Sequence, residues 1–428
     1  MHVLVIGAGI GGLSVALCLR HQGLRVTVVE RSHTLGEVGA GIQVPPNASR
    51  VLRALGLLDA VRARAVVPER VRARLGQGPL AGRTVFTLPL GEAAERRWGA
   101  PYLHVHRADL VAVLAQALRA RGGELRLGAD VEEVEPGGGE GGGKDGDGPA
   151  RVRLQDGGEV LEADAVVAAD GLRSPTREAL FSPEPPRFAG HFAWRATVPL
   201  EGLETPPARE ATLWMGRGAH AVTYLLRPDR SGEPTLANFV GVVEASGGAG
   251  DPAAESWRRR GARADALADF AGWHPEVRAL VRAAPQLHQW ALFDRAPLGR
   301  WVRGRVALLG DAAHPMLPFQ AQGAAMAVED AWVVARELAG AEGAQGVNAA
   351  LRAYAQKRQA RTARAQGVSR GNARTFHQGG LAALGVYGAM AVGARLVPGL
   401  LPRRFDWLYG EDVTEDVTEE DVAGGAPG

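Results

Sequence analysis

Gly7-Ala8-Gly9-Ile10-Gly11-Gly12 lies between an apolar run, Val3-Leu4-Val5-Ile6, and a segment in which Leu13, Ala16, Leu17 and Arg20 recur at helical spacing. In a GxGxxG turn the first glycine permits a tight bend and the second lets backbone approach a pyrophosphate. The third lets helix and strand pack closely, and the helix N-terminus adds N–H donors and positive potential. Glu30 closes the next β-branched strand, which starts at Arg25. A carboxylate there accepts hydrogen bonds from an adenosine ribose and argues against a 2′-phosphate. Two later carboxylates repeat the placement: Asp170 in Ala168-Ala169-Asp170-Gly171-Leu172-Arg173-Ser174, and Asp311 in Leu309-Gly310-Asp311-Ala312-Ala313-His314-Pro315. Each follows a buried strand, and open α/β sheets bind ligands at the C-terminal ends of their strands. Taken singly, each fits an Asx turn or a helix cap. Together, the three motifs point to a bound dinucleotide.

Other reactive residue types are sparse. Cys18 is the single cysteine, which excludes an intrachain disulfide and any cysteine-based zinc or iron–sulfur site and fits a reducing cytoplasm. His104 and His106 flank Val105 with no acidic or cysteine partner nearby, so no metal site is expected. Basic and acidic residues number 49 and 47, a balance that gives nucleic acid or an anionic membrane no electrostatic hold. Gln378 to Ala394 carries no charge, but five glycines dilute it and Arg395 and Pro398 close it. It is expected to pack on the surface of a domain or in a homodimer interface rather than to span a membrane.

The elements that must position these residues read as α/β. A βαβ unit opens the chain, so the sheet is expected to be parallel. Arg107 to Arg121 is a helix stopped by Gly122-Gly123, followed by strands at 124–127 and 131–135. Pro136 to Pro149 is eight-fourteenths glycine, a flexible loop. Further strands are expected at 151–154 and 160–168. Phe188 to Val243 changes to Trp-, Tyr- and Val-rich alternation, the mark of an antiparallel sheet. Helices are expected at 254–282, 322–338 and 351–377, with a buried strand at 305–309. The expected fold is therefore a Rossmann-like nucleotide domain with a parallel sheet, an inserted antiparallel-sheet domain and a C-terminal helical segment. Its boundaries are 1–180, with an excursion into the inserted sheet near 74–102, then 181–292, 293–350 and 351–428.

With GxGxxG, DG and GD in this order, the chain resembles the single-component FAD-dependent aromatic hydroxylases, the para-hydroxybenzoate hydroxylase class, from about Met1 to Tyr409. Glu37 to Asn47, His106 to Leu110, Trp194-Arg195, Trp290 to Pro297, Gly310 to Asp330 and Asp406 to Tyr409 look like the salicylate hydroxylase and 3-hydroxybenzoate 6-hydroxylase branch. The resemblance implies bound FAD, NADH or NADPH as a transient reductant, and O2 as co-substrate. It implies an oxygen transferred from a flavin C4a-hydroperoxide to a small phenolic or hydroxybenzoate-like ring. It places Gly7, Gly9, Gly12 and Leu13 at the pyrophosphate turn, and Glu30 and Arg31 on the adenosine ribose. Val131 would meet adenine through its backbone, Arg107 the pyrophosphate or ribityl chain, and Gln43 the flavin. Asp311 would bond the ribityl chain, and N–H groups near Gln322, Gly323 and Ala324 would face the isoalloxazine or phosphates. Asp170 and Arg173 would lie along the pyrophosphate channel, where the pyridine nucleotide docks.

Water exclusion falls to Trp194, Trp214, Phe239 and Phe319, and deprotonation of a phenol to a histidine. The branch carries a His and a Tyr four residues apart in its substrate sheet, and His220 and Tyr224 match. His220 is the expected base, with an ordinary strand histidine as the competing reading. His314 reads as a structural helix-entry residue, and Arg195 or Arg217 suits a substrate carboxylate. The 3-hydroxybenzoate hydroxylases have a Gln near where Pro318 stands, so the chain departs from them there. Competing functions are a same-fold epoxidase, Baeyer–Villiger enzyme or halogenase, or a flavin-binding protein without catalysis. The WxWxIP stretch of flavin halogenases is not found.

Overall fold

A computed structural model describes residues 1–36, 40–138, 148–155, 157–245, 260–397 and 399–415. The Pro136–Pro149 loop is thus described only at its ends, and the segment from Glu37 to Asn47 only from Ala40 onward. Six strands form the first sheet in the order Val302–Arg303, Val306–Leu308, Ala165–Ala168, His2–Ile6, Arg25–Glu30, Glu124–Leu127. All pairs are parallel except the first hairpin. The central strands are apolar on both faces because helices cover both. Helix Ile10–His21 crosses helix Gly323–Ala339 so closely that a Cβ on Gly11 would meet Leu309 at 3.0 Å and Ala327 at 3.3 Å. In register, Ile6 lies beside both Ala168 and Val29, and Ala168 beside Leu308. The three nucleotide motifs therefore leave the sheet side by side at one edge.

The apolar stretch 160–168 divides into two strands in different sheets. Val160–Ala163 joins a three-stranded antiparallel sheet with Ala150–Leu154 and Val131–Glu135, while Ala165–Ala168 enters the parallel one. Asp164 makes the break: its carboxylate accepts the His2 N–H at 2.7 Å and its own N–H donates to the His2 carbonyl at 2.9 Å.

The inserted sheet has seven strands, ordered His288–Asp294, Arg187–Pro199, Pro234–Glu244, Ala219–Pro228, Ala211–Gly216, Arg70–Leu75, Thr84–Pro89. It is antiparallel except where Ala211–Gly216 runs parallel to Arg70–Leu75. Trp194, Ala196, Trp214, Ala221, Leu225 and Phe239 on one face pack against Phe270, Trp273, Val277 and Leu280. The helix expected over 254–282 is, among the described residues, two helices, Arg263–Asp269 and Pro275–Ala283. Gly272 at φ +73° and Pro275 at the second helix's start enforce the break.

Helix Gly343–Phe376 begins eight residues earlier than its expected start. It straps the loop after the GD motif through Gln366 to the Pro315 carbonyl (2.7 Å), Ser369 to the Leu317 carbonyl (2.6 Å) and Asn372 to the Phe319 carbonyl (3.1 Å). The charge-free segment forms helix Gly380–Leu396, and Tyr387 and Met390 from it pack with Val85, Leu213 and Met215 of the seven-stranded sheet. Val392 and Leu396 remain exposed on it. Among the described residues no helix is long and apolar enough to cross a membrane.

Candidate functional site

At the sheet edge, Gly7 (φ +96°) and Gly12 face each other so tightly that a Cβ on Gly12 would lie 1.9 Å from the Gly7 carbonyl oxygen. A Cβ on Gly9 would meet nothing within 4 Å, so the turn is open where a ligand would approach. Leu13 is fully buried behind it. The Glu30 carboxylate accepts the backbone N–H groups of Ala8 (2.8 Å) and Ser32 (2.9 Å), which fixes it beside the turn. The Ala129 N–H donates to the Glu30 carbonyl, bringing the Val131 segment to the same end of the sheet. Val131 directs its N–H to Asp130 Oδ1 at 3.0 Å, and Arg31 is exposed.

Asp170 takes the Thr176 N–H on Oδ2 at 3.2 Å, while Oδ1 is buried without a partner, and burial raises its carboxyl above the usual range. Asp311 is accessible yet hemmed in by protein: burial raises its pKa against the pull of His314 and Arg107. Gly323, at the start of its helix, stands beside Asp311, since a Cβ there would lie 3.6 Å from Oδ1, and Ala324 follows it. Gln322 accepts from Asn47 at 3.2 Å, and its Nε2 is buried without a partner. Gln43 sits on a small sheet opposite His104 and accepts the Tyr102 hydroxyl at 2.6 Å. His314 bonds Asp330, which also receives Arg358 at 2.7 Å, and it packs on the Trp301 ring. This is the environment of a structural residue.

The second face of the seven-stranded sheet carries His220, Val222 and Tyr224 in register with Val242, Val240 and Asn238. His220 is buried against Phe319 and Phe376, with its Nδ1 2.7 Å from His377 Nε2. Burial, with His377 and His191 adding to it, holds its pKa well below the ordinary value, so the imidazole is neutral. Tyr224 packs on Gly41 and on the His104 ring at 4.5 Å. Asn238 accepts the Gly41 N–H at 2.8 Å, stapling the small sheet to the large one. Arg195 lies over Trp290 at 4.6 Å on this same face, and Arg217 sits exposed in the hairpin turn at its edge.

Of the four aromatics expected to keep water out, only Phe319 stands beside His220. Trp194, Trp214 and Phe239 belong to the opposite face. Across the hairpin Trp214 pairs with Ala221 and Met215 with His220, which turns Trp214 to the face away from His220. Sequence reasoning also missed the cluster of His191, Glu244 and His377, whose donor atoms lie within 4.8 Å of one another. It missed the buried cluster of Asn47, Glu329, Asp330, Arg358 and Arg361 as well. Adjacent acids in an apolar helix, with arginines three apart in the next, were its only signal.

The fit to FAD rests on this geometry: a turn too tight for side chains but open in front, an accessible Asp311 beside the Gly323 helix start, and buried polar atoms on Asp170 and Gln322 without protein partners. The profile of the FAD binding domain family matches residues 1–369. The chain belongs to this family. It is 35% identical to 3-hydroxybenzoate 6-hydroxylase 1 of Aquipseudomonas alcaligenes, across 97% of this chain and 98% of that one. It is also 35% identical to 6-hydroxynicotinate 3-monooxygenase of Bordetella bronchiseptica, across 87% and 91%. The crystal structure of Klebsiella pneumoniae HpxO with FAD and uric acid superposes with a TM-score of 0.78 at 28% identity, across 96% and 97%. The chain is thus an FAD-dependent monooxygenase, with NAD(P)H and O2 the usual co-substrates of such enzymes.

Proposed function

We propose that this flavoprotein hydroxylates a small aromatic ring bearing both a hydroxyl and a carboxylate, with His220 as the base that takes the phenolic proton. The observation that carries the reading is the placement of a buried, neutral imidazole against the Phe319 loop, which follows directly from the GD motif. The names of three relatives support the substrate class, since 3-hydroxybenzoate, 6-hydroxynicotinate and 3-amino-4-hydroxybenzoate share those two groups. Arg195, on the His220 face, offers a guanidinium suited to a carboxylate.

In this reading Gly7, Gly9, Gly12 and Leu13 hold the pyrophosphate turn, Glu30 and Arg31 the ribose, and Val131 the adenine. Arg107, Asp170, Asp311, Gly323 and Ala324 line the path of the ribityl chain and phosphates, and Gln43 approaches the ring system. Bound FAD supplies the reducible centre at which NAD(P)H and O2 react. The chain contributes the rest. Phe319 and Phe376 exclude water beside the reacting ring. His220 Nε2 accepts the phenolic proton, which raises the electron density of the ring, and Tyr224 borders the same pocket.

The test mixes yellow holoenzyme with 3-hydroxybenzoate, salicylate, 6-hydroxynicotinate and 3-amino-4-hydroxybenzoate. NADH and NADPH consumption and product mass are followed. At least one compound is expected to stimulate reductant consumption and to gain one oxygen. Stimulation by none, or peroxide as the only product with all, rejects the reading.

A further inference from the structure

We propose that His377 and Glu244 form a proton relay that connects His220 to solvent. The proposal rests on the assignment of His220 as base. The chain of contacts is continuous: His220 Nδ1 lies 2.7 Å from His377 Nε2, and His377 Nδ1 lies 3.0 Å from Glu244 Oε1. Its inner end is buried and its outer end is wet, for the His377 side chain is 2% exposed and that of Glu244 54%. Glu244 and His377 open on a cleft that Arg217, Gly218, Gly379 and Gly380 complete.

The middle ring is held by backbone. The Gly218 N–H donates to the His377 carbonyl at 3.2 Å, and the Glu244 N–H donates to the Gly218 carbonyl at 2.8 Å. The hairpin turn thus fixes both relay residues at once, at the end of helix Gly343–Phe376. The other groups facing them are His191, whose Nδ1 is turned to the Ala189 carbonyl at 2.7 Å, and Arg217. Phe319 and Phe376 close the apolar side.

An ionised Glu244 fixes the tautomers. It accepts Nδ1–H of His377, whose Nε2 then accepts Nδ1–H of His220, leaving His220 Nε2 as the lone pair toward the pocket. On substrate binding the phenolic O–H bond breaks and a His220 Nε2–H bond forms. The His220 Nδ1 proton passes to His377 Nε2, and the His377 Nδ1 proton to Glu244, which gives it to water or buffer. Neither ring keeps a positive charge in the apolar pocket, where charge is costly. A proton returning along the same path neutralises the product phenolate and restores the tautomers.

The test uses oxidised holoenzyme without NAD(P)H and 3-hydroxy-4-nitrobenzoate, whose phenolate absorbs visible light. In the unaltered enzyme the phenolate is expected to form on mixing at a rate independent of buffer concentration. Glu244→Gln, at an exposed position, is expected to slow its formation about tenfold or more and to make the rate climb with imidazole concentration. His377→Gln is expected to do the same, with FAD content and urea midpoint measured alongside. Phenolate formed in all three at one buffer-independent rate overturns the relay and leaves the base assignment standing. Absence of bound phenolate in the unaltered enzyme overturns both.

Discussion

The two faces of the seven-stranded sheet are made from alternate residues of the same strands, yet they differ in almost every physical respect. The face against helices Arg263–Asp269 and Pro275–Ala283 is a dry aromatic core: Trp194, Trp214, Phe239 and Phe270 interlock there. The indole N–H groups of Trp194 and Trp214 donate to Asp269 at 2.7 Å and Thr223 at 3.2 Å. The other face carries His220, Tyr224, Arg195 and Asn238, polar groups that contact elements far away in sequence. One face holds the sheet in shape so that the other can present chemistry. A period of two residues separates the roles.

The comparison can be broken from either side. His220→Ala is expected to keep FAD and NAD(P)H-dependent reduction while coupled hydroxylation falls about 10²–10⁴-fold, with reducing equivalents diverted to H2O2. Product formed per NADH consumed measures it, and unchanged coupling would remove His220 from the chemistry. Trp194→Ala, two strands away on the dry face, is expected to cost about 3–5 kcal/mol of stability in urea unfolding. The coupling ratio of the protein that stays folded should not move, and a large shift would show that the faces are not separable. Asn238→Ala leaves the buried Gly41 N–H without its acceptor and is expected to cost about 1–3 kcal/mol. A double-mutant cycle with a Gly41 partner is unnecessary, because amide exchange at Gly41 reports the loss directly.

The smallest effect depends on pH. Burial pushes the His104 imidazole down to about 3. The folded protein therefore keeps it neutral where the unfolded chain, with a histidine pKa of about 6.5, takes up a proton. Stability is lost as the pH falls below about 6.5, at about 1.4 kcal/mol per unit until about pH 3. His104→Phe should flatten the slope of stability against pH between 5.5 and 6.5. An unaltered slope would mean that His104 finds a proton-stabilising partner in the fold.

The nucleotide edge was legible because its information is local. Gly7 to Gly12, Glu30, Asp170 and Asp311 each lie at or just beyond the C-terminal end of a strand, and parallel register alone brings them together. The substrate face was legible only in part. Alternation within one strand placed His220 and Tyr224 together, but which residues of neighbouring strands share their face depends on hairpin register. Register places Trp194, Trp214 and Phe239 on the face opposite His220. His377 lies 157 positions from His220 and at the end of another domain's helix. Nothing in the spacing of the chain records that contact.

Asp330 has a consequence that concerns ionic strength. Fully buried, it receives Arg358, His314 and the Gly310 N–H, so one carboxylate ties two long helices to the loop that carries the GD motif. Dissolved salt screens exposed charges over about 8–10 Å of electrolyte, and surface pairs such as Arg96 with Glu92 feel it. Buried pairs such as those of Asp330 are screened far less. The loop that carries the GD motif is therefore anchored by charges that dissolved salt weakens far less than it weakens surface pairs, and its anchoring is expected to persist as ionic strength changes.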